Sequence, residues 1–267
     1  MNHFPKRTIE LFMQLHFKKI GEEGKPLIIL HGLFGMGDNW ITIGKVLSIH
    51  YQVFILDLRN HGQSPHSEHF SYKIMASDVA DFIAENNLEG AFLIGHSMGG
   101  KVLMQLAIDF PAIYEKLIIV DIAPKFYPVH HTAILQGLHS IDLKTLQSRT
   151  EANEILKRFE SSEGVRQFLL KNLFRNPETG HFGWRFNLPI LTNEIASIGD
   201  EITSNHAINK PILFIAGGQS SYILDSDHPS ILSLFPLAKF EKIVEAGHWV
   251  QAEKPTEFVE LVNHFLK

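Results

Sequence analysis

Ser97 sits in Gly95-His96-Ser97-Met98-Gly99, the G-x-S-x-G spacing of a nucleophile elbow. A serine between a strand end and a helix start is held in a strained turn that projects its hydroxyl outward. Small residues two positions to either side let strand and helix approach closely. The following helix offers free N–H groups and the positive end of its dipole to a developing oxyanion. A serine hydroxyl is a poor nucleophile without a base. Ala246-Gly247-His248-Trp249 supplies one, between an apparent last strand at 240–244 and a terminal helix. There Gly247 is expected to give the loop the freedom to turn His248 back over the strand ends. The chemistry implied is acyl transfer, with His248 taking the Ser97 proton. A second oxyanion donor belongs on the loop His31-Gly32-Leu33-Phe34-Gly35. The amides of Leu33 and Met98 are assigned that work, with Phe34 as the fallback for Leu33. The backbone N–H makes the bond, so the side chains hardly matter to it.

The elements around these residues must place them on one edge of a sheet. Five short apolar runs, 27–30, 53–56, 91–94, 117–120 and 212–215, are rich in β-branched residues and apolar at consecutive positions. That pattern suits strands buried on both faces, as in a parallel sheet covered by helices. Helical spacing runs over 71–85, with Ser71 as cap, over 98–110, closed by Pro111, and over 256–265 behind Pro255. The alternation predicts an α/β fold of right-handed βαβ units, and 14–19 alternates as an antiparallel edge strand would. From 124 to 205 the rhythm breaks. Segments 134–138, 150–159 and 164–174 are amphipathic, 176–188 is turn-rich and aromatic, and no buried strand is evident. The expectation is a helical lid at 124–205 inserted into a core made of 1–123 and 206–267.

Composition removes several classes. With no cysteine, disulfides, thiol nucleophiles and thiolate metal sites are excluded. A net charge of −5 without runs of Lys or Arg gives no footprint for nucleic acid or an anionic membrane. No stretch approaches 18 uninterrupted apolar residues, and 1–17 lacks the form of a signal peptide, so a cytoplasmic monomer or homodimer is expected. The sixteen histidines lack the spacing of a helical zinc site. His130-His131 reads as a solvated loop pair, and neither metal nor cofactor is expected.

Together with Asp57-Leu58-Arg59-Asn60-His61-Gly62-Gln63-Ser64, these motifs resemble the α/β-hydrolase superfamily across nearly the whole chain. More narrowly, His31 to Gly35, Gly95 to Lys101, Val120-Asp121-Ile122-Ala123-Pro124 and Trp184-Arg185-Phe186-Asn187-Leu188 look like the YbfF-type esterases. That resemblance implies cleavage of a small-molecule acyl ester or thioester, often of short acyl chain, without a cofactor. It also implies that Arg59 and His61 brace a loop and take no part in catalysis. Most members carry the triad acid after the strand that follows the lid, but here Ser220 occupies that place, and Asp225 and Asp227 come too late along the loop. Asp121 ends the strand that follows the nucleophile helix and is the better acid, with Ser220 as a supporting member that bonds either Asp121 or His248. Phe34 and Trp249, next to the catalytic loops, are the candidate pocket residues. Phe126, Tyr127, Phe182, Trp184 and Phe186 are as well suited to packing the lid. Two rival readings stand beside the esterase: a lyase or C–C bond hydrolase using the same residues, and a ligand receptor with an idle triad.

Overall fold

The computed structural model describes residues 13–267. Residues 1–12, on which most of the leaderless reading rests, lie outside the described residues. In chain order the strands are β1 (Phe17–Ile20), β2 (Lys25–Leu30), β3 (Tyr51–Leu56), β4 (Ala91–His96) and β5 (Tyr114–Val120). They continue as β6 (Leu173–Arg175), β7 (Phe182–Trp184), β8 (Ile212–Gly217) and β9 (Ala238–Ile243). The main sheet runs β1-β3-β2-β4-β5-β8-β9. Only β1 is antiparallel to its neighbour, with Phe17 opposite Leu56, and every other pairing is parallel. The five apolar runs of the sequence thus become β2, β3, β4, β5 and β8, and the alternating segment becomes the edge strand. β2 lies between β3 and β4, so the loops leaving β2 and β4 diverge and open a crevice at the carboxyl edge of the sheet.

Helices α1 (Ile41–Leu47), α2 (Tyr72–Glu85) and α3 (Met98–Asp109) alternate with the early strands. Ser71 caps α2 by accepting a hydrogen bond from the Ile74 amide. After β5 come α4 (Thr132–His139), α5 (Arg149–Leu156), α6 (Glu163–Leu170), α7 (Leu188–Asn193) and α8 (Ile195–Ile198). Last are α9 (His228–Leu234), α10 (Val250–Glu253) and α11 (Pro255–Leu266). One face of the sheet packs Ile29, Ile55 and Ile118 against Trp40, Ile43 and Leu47 and against Phe258 and Val262 of α11. The other packs Ile28, Leu93 and Ile119 beneath α2 and α3.

The segment between β5 and β8 is mostly helical, as its periodicity suggests, but it also holds the β6–β7 hairpin, with Leu173 opposite Trp184. Three-residue strands are too short to leave a period in the sequence, and an arginine stabilises the pair from outside. The Arg175 guanidinium lies 4.3 Å from the centre of the Phe182 ring. Leu138, Leu156, Leu169 and Leu191 of this segment join the same apolar cluster as α2 and α3. Its two ends run side by side, with the Ile202 amide donating to Pro124 O at 2.7 Å and the Tyr127 amide to Gly199 O at 2.8 Å.

The loop after β3 is braced by ionic and histidine contacts. Buried Arg59 donates to both carboxylate oxygens of Asp78 on α2, at 2.6 and 2.8 Å, and to His69 O. His61 is fully buried, donates to Arg59 O, and is pushed down to about 3 by burial, so it stays neutral. Removing one partner of a buried ion pair strands the other charge. Asp78→Ala should therefore lower the unfolding free energy by about 3–5 kcal/mol, read as a shift of the urea midpoint at unchanged slope.

Candidate active site

The turn from β4 into α3 places Ser97 at φ 52°, ψ −119°, a conformation that costs a non-glycine residue about 1–3 kcal/mol. The neighbouring glycines are required by contact. A Cβ on Gly95 would lie 2.4 Å from Gly99 O, and one on Gly99 would lie 2.6 Å from His31 O. The loop after β2 therefore presses directly on the elbow. Leu33 and Met98 both line a cavity with Ser97. Among the described residues their amides donate to no turn or loop carbonyl.

His248 Nδ1 lies 2.8 Å from Asp121 Oδ2. A carboxylate only accepts, so Nδ1 carries the proton and Nε2 is left without one. Asp121 has no solvent exposure, and its second oxygen accepts from the Gly217 amide at 3.0 Å. The Ser220 hydroxyl also donates to Asp121 Oδ2, so the residue that replaces the usual acid reaches the same carboxylate. Asp225 and Asp227 point elsewhere and pair with Lys242 and Lys125. No Ser97–His248 hydrogen bond is present among the described residues, although both side chains line one cavity. Catalytic hydrogen bonds commonly tighten only with substrate bound.

Three contacts that the sequence reading did not anticipate hold the imidazole. Tyr222 stacks on it at 4.1 Å between ring centres and 20° between planes. His96, the variable residue of the elbow motif, donates from Nε2 to His248 O at 2.8 Å, and burial pushes its pKa well below the ordinary value. Glu253 on α10 accepts from the amides of Gly247 and Trp249. That last contact corrects the expectation for Gly247. Its φ is not positive, and the loop is turned by a carboxylate bridging two amides. The contacts of Tyr222 and His96 leave no pattern in sequence, because each joins residues far apart in the chain, whereas Glu253 lies only four and six residues from the amides it accepts from.

Two cavities meet at Ser97. One of about 790 Å³ runs past Phe34, Phe168, Trp249 and Gln251, so both candidate pocket residues line it. Phe34 is buried against the Phe186 ring, while Trp249 is half-buried against Phe168. A second cavity, of about 40 Å³, is walled by Leu33, Tyr72, Ile122, Tyr127 and Ile198. His130 and His131 line both; His130 is exposed, as a solvated loop residue is expected to be, and only the half-buried His131 departs from that reading. Burial, together with the neighbouring His130 and His248, pushes His131 down to about 4. His130 bonds the Tyr222 hydroxyl at 2.6 Å. Of the aromatics named from the sequence for segment 124–205, Phe126 is exposed, Trp184 and Phe186 stack on each other, and Tyr127 lines the small cavity. Among the described residues no group of three His, Asp or Glu side chains is placed to hold a metal, and no helix is long and apolar enough to cross a membrane.

The chain is similar to known proteins over most of its length. The family model described as the alpha/beta hydrolase fold matches residues 25–255. The chain is 37% identical over 243 residues to esterase YbfF of Escherichia coli, covering 90% of this chain and 92% of that one. It is 36% identical over 253 residues to the sn-1-specific diacylglycerol lipase ABHD11 of Danio rerio, covering 92% and 79%. A solved structure titled marine microorganism esterase superposes with a TM-score of 0.92 at 42% identity, covering 95% of this chain and 99% of that one.

The carboxylate that orients His248 can be tested by substitution. Asp121→Asn should lower kcat for p-nitrophenyl acetate by about 10³–10⁴-fold, whereas Asp225→Asn should stay within about twofold. The reverse order in a steady-state assay would move the acid to the loop after β8.

Proposed function

The chain belongs to the α/β-hydrolase fold family and is a carboxylesterase-type hydrolase, and on that premise we propose that it cleaves short-chain carboxylic esters through an acyl-enzyme. Acyl thioesters are the second substrate type under this reading. The observation that carries it is His248, bonded to Asp121 at 2.8 Å and lining one cavity with Ser97. His248 Nε2 takes the Ser97 proton as the oxygen bonds the ester carbonyl carbon. The Leu33 and Met98 amides hold the oxyanion. Collapse breaks the carbon–oxygen bond of the alcohol, which leaves with the proton from His248. Water, deprotonated by the same imidazole, then cleaves the acyl-enzyme and returns the proton to Ser97. Ser220 supports Asp121 by donating to it.

The two cavities divide the substrate. The small one has room for roughly three water-sized groups, which suits an acetyl to butyryl chain. The large one suits the alcohol portion, with Phe34 and Trp249 as its contacts. The segment 124–205 acts as a lid over both, because its residues Tyr127, His131, Phe168 and Ile198 form cavity wall. The name diacylglycerol lipase carried by a relative is compatible with a bulky alcohol portion, since its substrate class retains an acylated glycerol after cleavage of one ester.

Ser97→Ala should reduce turnover of p-nitrophenyl acetate and butyrate by about 10⁴-fold or more, and the wild type should be labelled covalently by a fluorophosphonate probe. Near-wild-type turnover in Ser97→Ala would sink the serine mechanism. Absence of labelling and of turnover would favour the ligand receptor, and cleavage of carbon–carbon substrates but not of esters the C–C hydrolase.

A further inference from the structure

Lys101 lies one turn after Ser97 on α3 and is 1% exposed. A lysine so deeply buried needs partners for its charge. It finds them in backbone carbonyls at opposite ends of the inserted segment: Lys125 O at 3.0 Å, Gly199 O at 3.1 Å, and Asp200 O. Its ammonium also lies over the Tyr127 ring, 4.8 Å from the centre, and 5.7 Å from the centre of the Tyr72 ring. These partners coincide with the wall of the small cavity, which includes Tyr72, Tyr127 and Gly199. Three further bonds spread the same clamp. The Tyr72 hydroxyl donates to Ile198 O at 2.6 Å, and the Tyr127 hydroxyl accepts from the Ala123 amide and donates to Tyr222 O. Tyr222 is the residue stacked on His248.

We propose that Lys101 is a specificity-determining positioning residue: its ammonium ties both ends of the inserted segment to the nucleophile helix and thereby fixes the wall of the acyl cavity beside Ser97. The inference rests on reading that cavity as the acyl subsite. Three carbonyl acceptors need three N–H donors, which an ammonium has and a neutral amine lacks. Methionine could fill the volume of the stem but would leave those carbonyls without the shared donor. Arginine would carry the charge, but its planar fork does not fit three carbonyls converging on one point.

Protonation ties the clamp to pH. Burial pushes Lys101 down to about 8, and Asp200 and Glu201 partly oppose the shift. The other titratable groups facing it are the Tyr72 and Tyr127 hydroxyls, both pushed up by burial and so neutral on this limb. The Lys125 side chain is engaged with Asp227. Because the folded value lies below the ordinary 10.5, the unfolded chain holds this proton more tightly. The contribution of Lys101 to folding stability therefore rises from about pH 8 towards 10.5. A loss of selectivity in that window is consequently not the signature of this group unfolding the protein.

The test measures kcat and KM for p-nitrophenyl acetate and octanoate from pH 6.5 to 9.5, in the wild type and in Lys101→Met. The wild type should prefer the acetate, with a ratio of kcat/KM that falls as pH rises through about 8. Lys101→Met should show a ratio lower by about tenfold or more, flat with pH, and arising mainly from a higher KM for acetate. A wild-type ratio retained in Lys101→Met, or a wild-type ratio that does not change with pH, overturns the inference while leaving the esterase reading intact. A wild type that cleaves esters with no acyl preference removes the cavity reading and this inference with it. The wild-type pH profile needs no variant, so the test stands even where Lys101→Met fails to fold.

Discussion

A carboxylate without solvent access must find its donors inside the protein, and the donors Asp121 finds come from two other parts of the chain. The Gly217 amide ends β8, Ser220 lies just beyond it, and His248 comes from the loop before α10. Charge-assisted bonds of this kind are stronger than neutral ones, and leaving one unmade in a buried site is costly. The Asp121 carboxylate therefore fixes where three strand-end loops stand relative to one another. It also decides which nitrogen of His248 holds the proton. With Nδ1 committed, Nε2 is left without a proton, and it is this nitrogen that the proposed mechanism uses as base.

The parts of this arrangement that were legible in sequence are those specified by residues close together in the chain. Gly95 and Gly99 flank Ser97 because the strand and helix backbones touch there, and that local demand leaves a local motif. The strands β2, β3, β4, β5 and β8 are buried on both faces, so each left an unbroken apolar run. Asp121 was recognisable because a strand end on this edge of a parallel sheet faces the crevice, and because Ser220 stood where an acid was expected. The hairpin β6–β7 was missed for want of length, and α1 because its buried face is short and carries Gly44. Tyr222 and His131 were missed for a different reason. A ring stacked on His248, or a neutral imidazole in a cavity wall, is defined by neighbours far away in the chain, and neither has a spacing to read.

The same division explains the histidines. Their number invited a search for metal spacing, yet the structure uses several of them as neutral hydrogen-bonding groups. His31 accepts from the Leu58 amide at Nε2 and lies against Gly32 O at Nδ1, joining the oxyanion loop to the loop after β3. His96 ties the elbow to the carbonyl of His248. Burial lowers the pKa of both, so each stays neutral and adds no charge that would compete with His248 for a proton. An imidazole with a fixed tautomer is a compact way to satisfy a donor and an acceptor in a place where water is excluded.

Backbone strain gathers along the same edge. Among the described non-glycine residues, φ is positive at Phe34, Asn60, Ser97 and Asp121, and otherwise only at Asn87. Those four follow β2, β3, β4 and β5, which are neighbours in the sheet. Each such residue costs about 1–3 kcal/mol, and each is held by contacts that leave it little choice. The Phe34 carbonyl accepts from Asn172 Nδ2, and Asn60 O accepts from the Asn187 amide. Ser97 N donates to Val120 O, and Asp121 N to Ile215 O. Two of these anchors, Asn172 and Asn187, lie in the inserted segment. Beneath the edge lie strands whose Leu30, Leu56, Ile94 and Val120 are fully buried, each contributing about 1.5–3 kcal/mol from its side chain. A rigid, deeply buried sheet can carry strained residues at its rim, where Ser97 lines the crevice and Asp121 lies buried behind His248.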